Sequence, residues 1–171
     1  IVMGIREAGI KDFIFVIGYH GEMIKDYFGD GKRFGISAKY IFQEVLNGTG
    51  SAIHLTKSLV GNSPFLASYG DILISPQNYK AMLTRFYNEP CDMLSTVNWV
   101  DDPYKGAAVY LDEYDNIIKI VEKPEKGTST TNWNNAGVYV FSSLIYEYTA
   151  KLRPSHRGEY ELTQAISDML N

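Results

Sequence analysis

Asp71 stands within LASYGDILIS (Leu66 to Ser75), a carboxylate directly after Gly70 and between two apolar runs. A lone acid there is costly if buried, so it needs a partner. At the carboxyl end of a strand, beside a glycine that lets a bulky ligand approach, it could hold Mg²⁺, a hard cation often bound by one or two carboxylates plus substrate phosphates. The competing reading is a plain Gly-Asp turn in which the acid bonds local backbone. A second cluster is FQEVLNGTGSAI (Phe42 to Ile53). The Gln43 amide carries a donor and an acceptor and can match the edge of uracil or thymine. Gly48 and Gly50 expose backbone beside the positive start of a helix. Equally, NGTG can be a loop with Thr49 as a helix cap.

Three further groups carry chemistry. In VEKP (Val121 to Pro124), Glu122 can accept hydrogen bonds from sugar hydroxyls and Lys123 can neutralise a phosphate. An ordinary charged strand end reads the same way. In NNAGVYVF (Asn134 to Phe141), Ala136 and Gly137 permit close approach of a ligand or mark a bulge. In GEYEL (Gly158 to Leu162), acids at a helix start are most simply favoured by the helix dipole.

Other chemistries find little footing. His20, His54 and His156 are far apart and no cysteine pair exists, which argues against zinc. There is no GxSxG, and Cys91 lacks the local signature of a nucleophile. The formal net charge of −4 argues against generic nucleic-acid binding. A single cysteine suits a reducing compartment, and no apolar run is long enough to cross a bilayer. The chain therefore reads as soluble and cytoplasmic, with no membrane or nucleic-acid partner.

With 171 residues, 45% hydrophobic and 21% charged, the chain suits one domain with a sizeable core. IVMGIREAG reads as the second half of an amphipathic helix, which suggests a fragment truncated at its start. Strands are expected at Asp12 to Tyr19, Ile36 to Phe42 and Phe65 to Ser68. Helices are expected from Thr49 to Leu59 and through SPQNYKAMLTRFYN, where Ser75 is a good N-cap and Pro76 the first helical residue. The second half holds strands in DMLSTVNWV, GAAVYLD, IIKIVEK and AGVYVF, with a hairpin turn at EYDN, then helices at Ser142 to Ala150 and Tyr160 to Leu170. This order predicts an α/β fold with a mixed, mostly parallel sheet, helices on both faces and an antiparallel hairpin insertion.

The ordered set of FQEVLNGTGSAI, YGDILIS, GAAVYLDEYDNIIKIVEKP, NNAGVYVF and GEYELTQAI resembles the sugar-1-phosphate nucleotidylyltransferases along essentially the whole chain. The GTGSA motif and the Tyr before GD look closest to the N-acetylglucosamine-1-phosphate uridylyltransferases; EKP and NNAGVYVF look equally like glucose-1-phosphate uridylyl- or thymidylyltransferases. The resemblance implies a Rossmann-like three-layer α/β/α fold. It also implies condensation of a sugar 1-phosphate with a nucleoside triphosphate, UTP or dTTP by preference, with Mg²⁺. By it, Gln43, Gly48, Thr49, Tyr69 and Gly70 meet the nucleotide, while Gly106, Glu122, Asn135 and Gly137 line the sugar pocket. Asp71 takes the metal, and Lys123 the sugar phosphate, as the catalytic pair. The family opens with a strand and a glycine-rich loop, and carries a second metal ligand on a later strand. Neither is found here, so residues 1–171 are expected to be a single domain truncated at both ends and nearly inactive alone, within a parent that forms homo-oligomers. The alternative is a non-catalytic regulatory or assembly subunit of the same fold.

Overall fold

Runs of aromatic and β-branched residues build two strands that pair first with each other. In the computed structural model, which describes residues 1–170, β1 (Asp12–Ile17) and β2 (Ser37–Phe42) form a parallel ladder from Asp12↔Ser37 to Ile17↔Phe42. Parallel neighbours need a crossover, supplied by α2 (Gly21–Phe28). The helix α1 (Val2–Glu7) leads into β1 through Gly9, whose φ of +106° is open to glycine and costly for other residues.

A five-stranded sheet makes up the rest. Its centre is β7 (Trp133–Phe141), which runs antiparallel to both β3 (Phe65–Ser68) and β4 (Met93–Trp99). The hairpin of β5 (Ala107–Leu111) and β6 (Ile117–Glu122) joins the start of β7. Asp112 closes that hairpin: its Oδ1 accepts from the backbone N–H of Tyr114 and Asn116. The mixed α/β class and the antiparallel hairpin agree with the sequence reading. Direct parallel pairing, however, is confined to β1 and β2, because β7 lies between β3 and β4.

Helices cover both faces. Tyr139 and Phe141 of β7 point into a core with Ile145 and Tyr146 of α6 (Ile145–Thr149) and with Leu162, Ala165 and Ile166 of α7 (Leu162–Met169). Val138, one residue out of phase, faces Ile5 of α1 and Tyr79 of α5 (Pro76–Asn88). The expected helix from Thr49 to Leu59 is broken into α3 (Thr49–Leu55) and α4 (Lys57–Val60). At the break, the Thr56 hydroxyl donates to Ile53 O at 2.7 Å and meets Tyr146 Oη at 2.7 Å. Residues 72–75 are irregular rather than a strand: Ile72 and Ile74 dip into the α1–α5 core while Leu73 is 82% exposed.

Candidate active site

The ends of β1, β2 and β3 converge on one edge. Gly18, just after β1, abuts the Leu46 side chain and the Gln43 carbonyl, just after β2. Thr49, at the start of α3, and Tyr69, just after β3, line the same cleft. Ligands of open α/β sheets gather at such carboxyl edges.

On one side of this edge lies the loop 43–51. Gln43 is half-buried, and its Nε2 donates to Ser51 Oγ at 2.8 Å, Gly48 O at 3.1 Å and Asn47 Oδ1 at 3.4 Å. The loop is clamped to the segment before α7: Tyr160 N–H donates to Asn47 O at 2.7 Å, and Gly50 N–H to Tyr160 O at 2.8 Å. Gly48 has φ +120°, and a Cβ on it would sit 2.5 Å from Tyr160 O. Its glycine is thus required by packing against GEYEL. Thr49 caps a different helix from the one expected, since its Oγ1 accepts from Leu162 N–H at the start of α7 at 3.2 Å.

Tyr69 forms the wall between this loop and the other half of the site. Gly137, with φ +73°, leaves room for its ring: a Cβ there would be 2.5 Å from Tyr69 Cδ2. The Tyr139 hydroxyl donates to Tyr69 Oη at 3.4 Å and accepts from Asn135 Nδ2. Burial holds both phenols above the ordinary tyrosine value, Tyr139 well above it, and the nearby Glu122 charge adds to each shift. Gly106 is needed because the Asn134 amide packs against its α-carbon; a Cβ would lie 2.2 Å from Asn134 Oδ1. That oxygen accepts from Ala107 N–H at 3.2 Å.

Glu122 ends β6 half-buried, with Oε2 taking a hydrogen bond from Thr163 Oγ1 at 2.9 Å and Oε1 lying 3.6 Å from Arg157 Nη1. Burial is the first cause raising its carboxyl above the ordinary glutamate value. Arg157 also pairs with Glu159 at 2.9 Å and Glu161 at 3.2 Å. Sequence reasoning took the acids of GEYEL as dipole-favourable and passed over Arg157 and Thr163. The signal was present as an arginine flanked by two acids at i+2 and i+4. Lys123 is exposed and holds φ +40°, with its N–H donating to Gly106 O at 2.7 Å. That backbone conformation is rare outside glycine and marks a position the surroundings over-determine.

Gly70 and Asp71 form an exposed turn. A Cβ on Gly70 would meet nothing within 4 Å, so the glycine answers no need of the fold at this point. Asp71 forms no hydrogen bond or ion pair among the described residues. It is not a turn acid satisfied by its own backbone. No group of three or more His, Cys, Asp or Glu that could hold a metal occurs among the described residues. An unpaired exposed carboxylate fits Mg²⁺ only in the manner where substrate phosphates and water complete the shell.

The chain matches the nucleotidyl transferase family over residues 2–171. It is 32% identical over 161 residues to the bifunctional protein GlmU of Methanococcus aeolicus, covering 94% of this chain and 36% of that protein. It is 29% identical over 157 residues to the glucose-1-phosphate thymidylyltransferase of Xanthomonas campestris pv. campestris, covering 91% and 52%. Among solved structures, a putative glucose-1-phosphate thymidylyltransferase from Bacillus anthracis in complex with a sucrose superposes with a TM-score of 0.85 at 27% identity, covering 96% of this chain and 65% of that one. The chain spans about a third to a half of the length of the curated relatives it matches.

Proposed function

The chain belongs to the nucleotidyl transferase family, and from that premise we propose that it carries the substrate-binding part of a sugar-1-phosphate nucleotidylyltransferase. A phosphate oxygen of the sugar 1-phosphate attacks the α-phosphorus of a nucleoside triphosphate. The new P–O bond forms as the α–β bridging bond breaks, and pyrophosphate leaves with the electron pair. Such a reaction asks for in-line positioning and charge neutralisation rather than a protein nucleophile. The observation that carries the reading is Tyr69: it lines one cleft with Thr49, on the loop of Gln43, and its ring packs on Gly137 beside Asn135, near the Glu122 charge. Base-side and sugar-side groups therefore meet across one ring.

In this reading Gln43 and Gly48 meet the base, with Thr49, Tyr69 and Gly70 along the nucleotide. The Gln43 Nε2 is already spent on the loop, which leaves its Oε1 to accept the ring N–H that uracil and thymine carry and adenine and cytosine lack, in keeping with UTP or dTTP as the substrate. Glu122 and Asn135 take sugar hydroxyls in a pocket shaped by Gly106 and Gly137, and Lys123 meets the sugar phosphate. Asp71, together with phosphate oxygens of the substrates, would hold Mg²⁺, and that ion would supply screening of negative charge at the phosphates. An exposed apolar stripe of Tyr19, Met23 and Tyr27 suits contact between copies in a homo-oligomer. No helix among the described residues is long and apolar enough to cross a membrane, which suits an enzyme drawing on cytoplasmic nucleotides.

The test is a matrix assay on the natural-length polypeptide: ATP, GTP, UTP and dTTP crossed with glucose 1-phosphate and N-acetylglucosamine 1-phosphate, with pyrophosphate and nucleotide sugar both measured. Turnover should appear with UTP or dTTP, depend on Mg²⁺, and fall about 100-fold or more in Asp71→Asn with the fold intact. A folded protein that makes no nucleotide sugar from any pair overturns the reading and favours a non-catalytic relative.

A further inference from the structure

Lys123 stands immediately before Pro124, where the proline ring pushes the backbone toward extended conformations, yet its φ is +40°. Something outside the dipeptide must hold it. Two hydrogen bonds do so, with the same spacing on both partners. The Lys123 N–H donates to Gly106 O at 2.7 Å. Four residues on, the Gly127 N–H donates to Asp102 Oδ2 at 2.8 Å, and Asp102 lies four residues before Gly106. The loop 123–127 is thus fastened at both ends across the short 3₁₀ turn Pro103–Lys105. Between the two bonds, the Lys126 ammonium lies over the Tyr104 ring, 5.4 Å from its centroid. Beyond Pro124 the loop also closes on itself: the N–H and hydroxyl of Thr128 donate to Glu125 O at 3.1 and 2.7 Å.

Asp102 itself sits on a fixed base. Asn132 Nδ2 donates to Val100 O at 3.0 Å and to Asp101 O at 2.9 Å, and the following Pro103 is buried. The second carboxylate oxygen, Oδ1, is buried and has no hydrogen-bond partner among the described residues. A buried acceptor without a donor works against the fold, which offsets what the Gly127 bond contributes. Little stability is therefore at stake in this side chain, and its effect falls on the loop it ties. We propose that Asp102 is a positioning residue: by holding Gly127 it keeps Lys123 left-handed and directs the Lys123 ammonium toward the sugar phosphate. The proposal rests on the reading of Lys123 given above and adds the group that sets its direction. Without the tie, Lys123 relaxes to the extended backbone that Pro124 favours, and its side chain departs in another direction.

The test uses Asp102→Ala, Asp102→Asn, Lys123→Ala and the double variant Asp102→Ala/Lys123→Ala in the natural-length polypeptide. A first arm needs no substrate. In lysine-labelled protein, a positive φ gives a strong Overhauser contact between the amide proton and the Hα of the same residue. Lys123 should show it in the parent and in Asp102→Asn, whose amide oxygen can still accept from Gly127, and should lose it in Asp102→Ala. The thermal midpoint of Asp102→Ala should stay within about 4 °C of the parent. In the second arm, Asp102→Ala should raise KM for the sugar 1-phosphate about tenfold and leave KM for the nucleoside triphosphate unchanged, while Asp102→Asn restores the parent value. In the Lys123→Ala background, Asp102→Ala should add nothing. A left-handed Lys123 in Asp102→Ala, an unfolded Asp102→Ala, equal loss in Asp102→Asn, additive effects in the double variant or equal rises in both KM values overturns the proposal. If no substrate pair turns over while Asp102→Ala still releases Lys123, the catalytic reading fails and the tie between Asp102 and Lys123 stands.

Discussion

The Glu122 carboxyl is held above the ordinary glutamate value, first by burial and also by Glu161, with the Thr163 hydroxyl, Lys123 and Arg157 opposing. An unfolded glutamate loses its proton near pH ~4.3. Between that pH and the raised native value the folded chain binds more protons than the unfolded one. Stability contributed by this group is therefore greatest at acid pH and declines as pH rises through the native value. Glu122→Gln should remove that decline, so the difference in denaturation midpoint between variant and parent should shift in favour of the variant from about pH 4 to about pH 7. A pH-independent difference would separate the carboxyl from this behaviour. Arg157 acts on the same carboxylate. Arg157→Gln strips charge-assisted contacts from Glu122, Glu159 and Glu161, and should cost about 1–3 kcal/mol in urea unfolding while raising the Glu122 value further, readable by carboxyl ¹³C NMR.

The strand β7 distributes chemistry among the elements, and it does so through a single left-handed glycine. At Gly137 the strand kinks, which turns Asn135 toward Tyr139 and makes space for the Tyr69 ring. Gly137→Ala should cost about 1–3 kcal/mol, from the backbone conformation and from the displaced ring. Gly70→Ala, whose methyl meets nothing within 4 Å, should leave the thermal midpoint almost unchanged and still weaken nucleotide binding. Equal effects of the two substitutions on the fold would contradict this division of labour. Elements set by local signals were legible in the sequence: Pro76 opens α5, and the apolar run of β3 is bounded as expected. Where a distant partner decides, the sequence was mute. Thr56 breaks a helix because Tyr146 waits ninety residues away, and β7 begins at Trp133 because β4 lies alongside to pair with it. Gly48 reads as a loop glycine, yet its need arises from Tyr160.

At the scale of the molecule, residues 1–42 form a β1–α2–β2 unit whose strands share no ladder with the other sheet. Its attachment includes the packing of α1 on α5, where Ile5 and Gly4 close over Tyr79, a side chain only 1% exposed, and Phe13 of β1 packs against the same cluster of Ile5, Tyr79 and Val138. Among the described residues the two bodies exchange no strand hydrogen bonds, so cooperativity between them rests on this side-chain packing. The β5–β6–β7 sheet, by contrast, is covered by a core of fully buried Tyr139, Phe141, Ile145 and Leu162. Contiguous units with fewer buried contacts open at lower free energy than the rest. Native-state hydrogen exchange in sub-denaturing urea should therefore show the amides of Phe13, Phe15 and Ile17, which bond β2, opening together before those of Val138 to Phe141. Tyr79→Ala removes a large buried ring, a change of about 3–5 kcal/mol for comparable aromatic truncations. It should widen the gap by lowering the opening energy of the first unit more than that of β7. If both sets instead exchange in one transition whose midpoint the variant shifts equally, the chain unfolds as a single body despite its divided sheet.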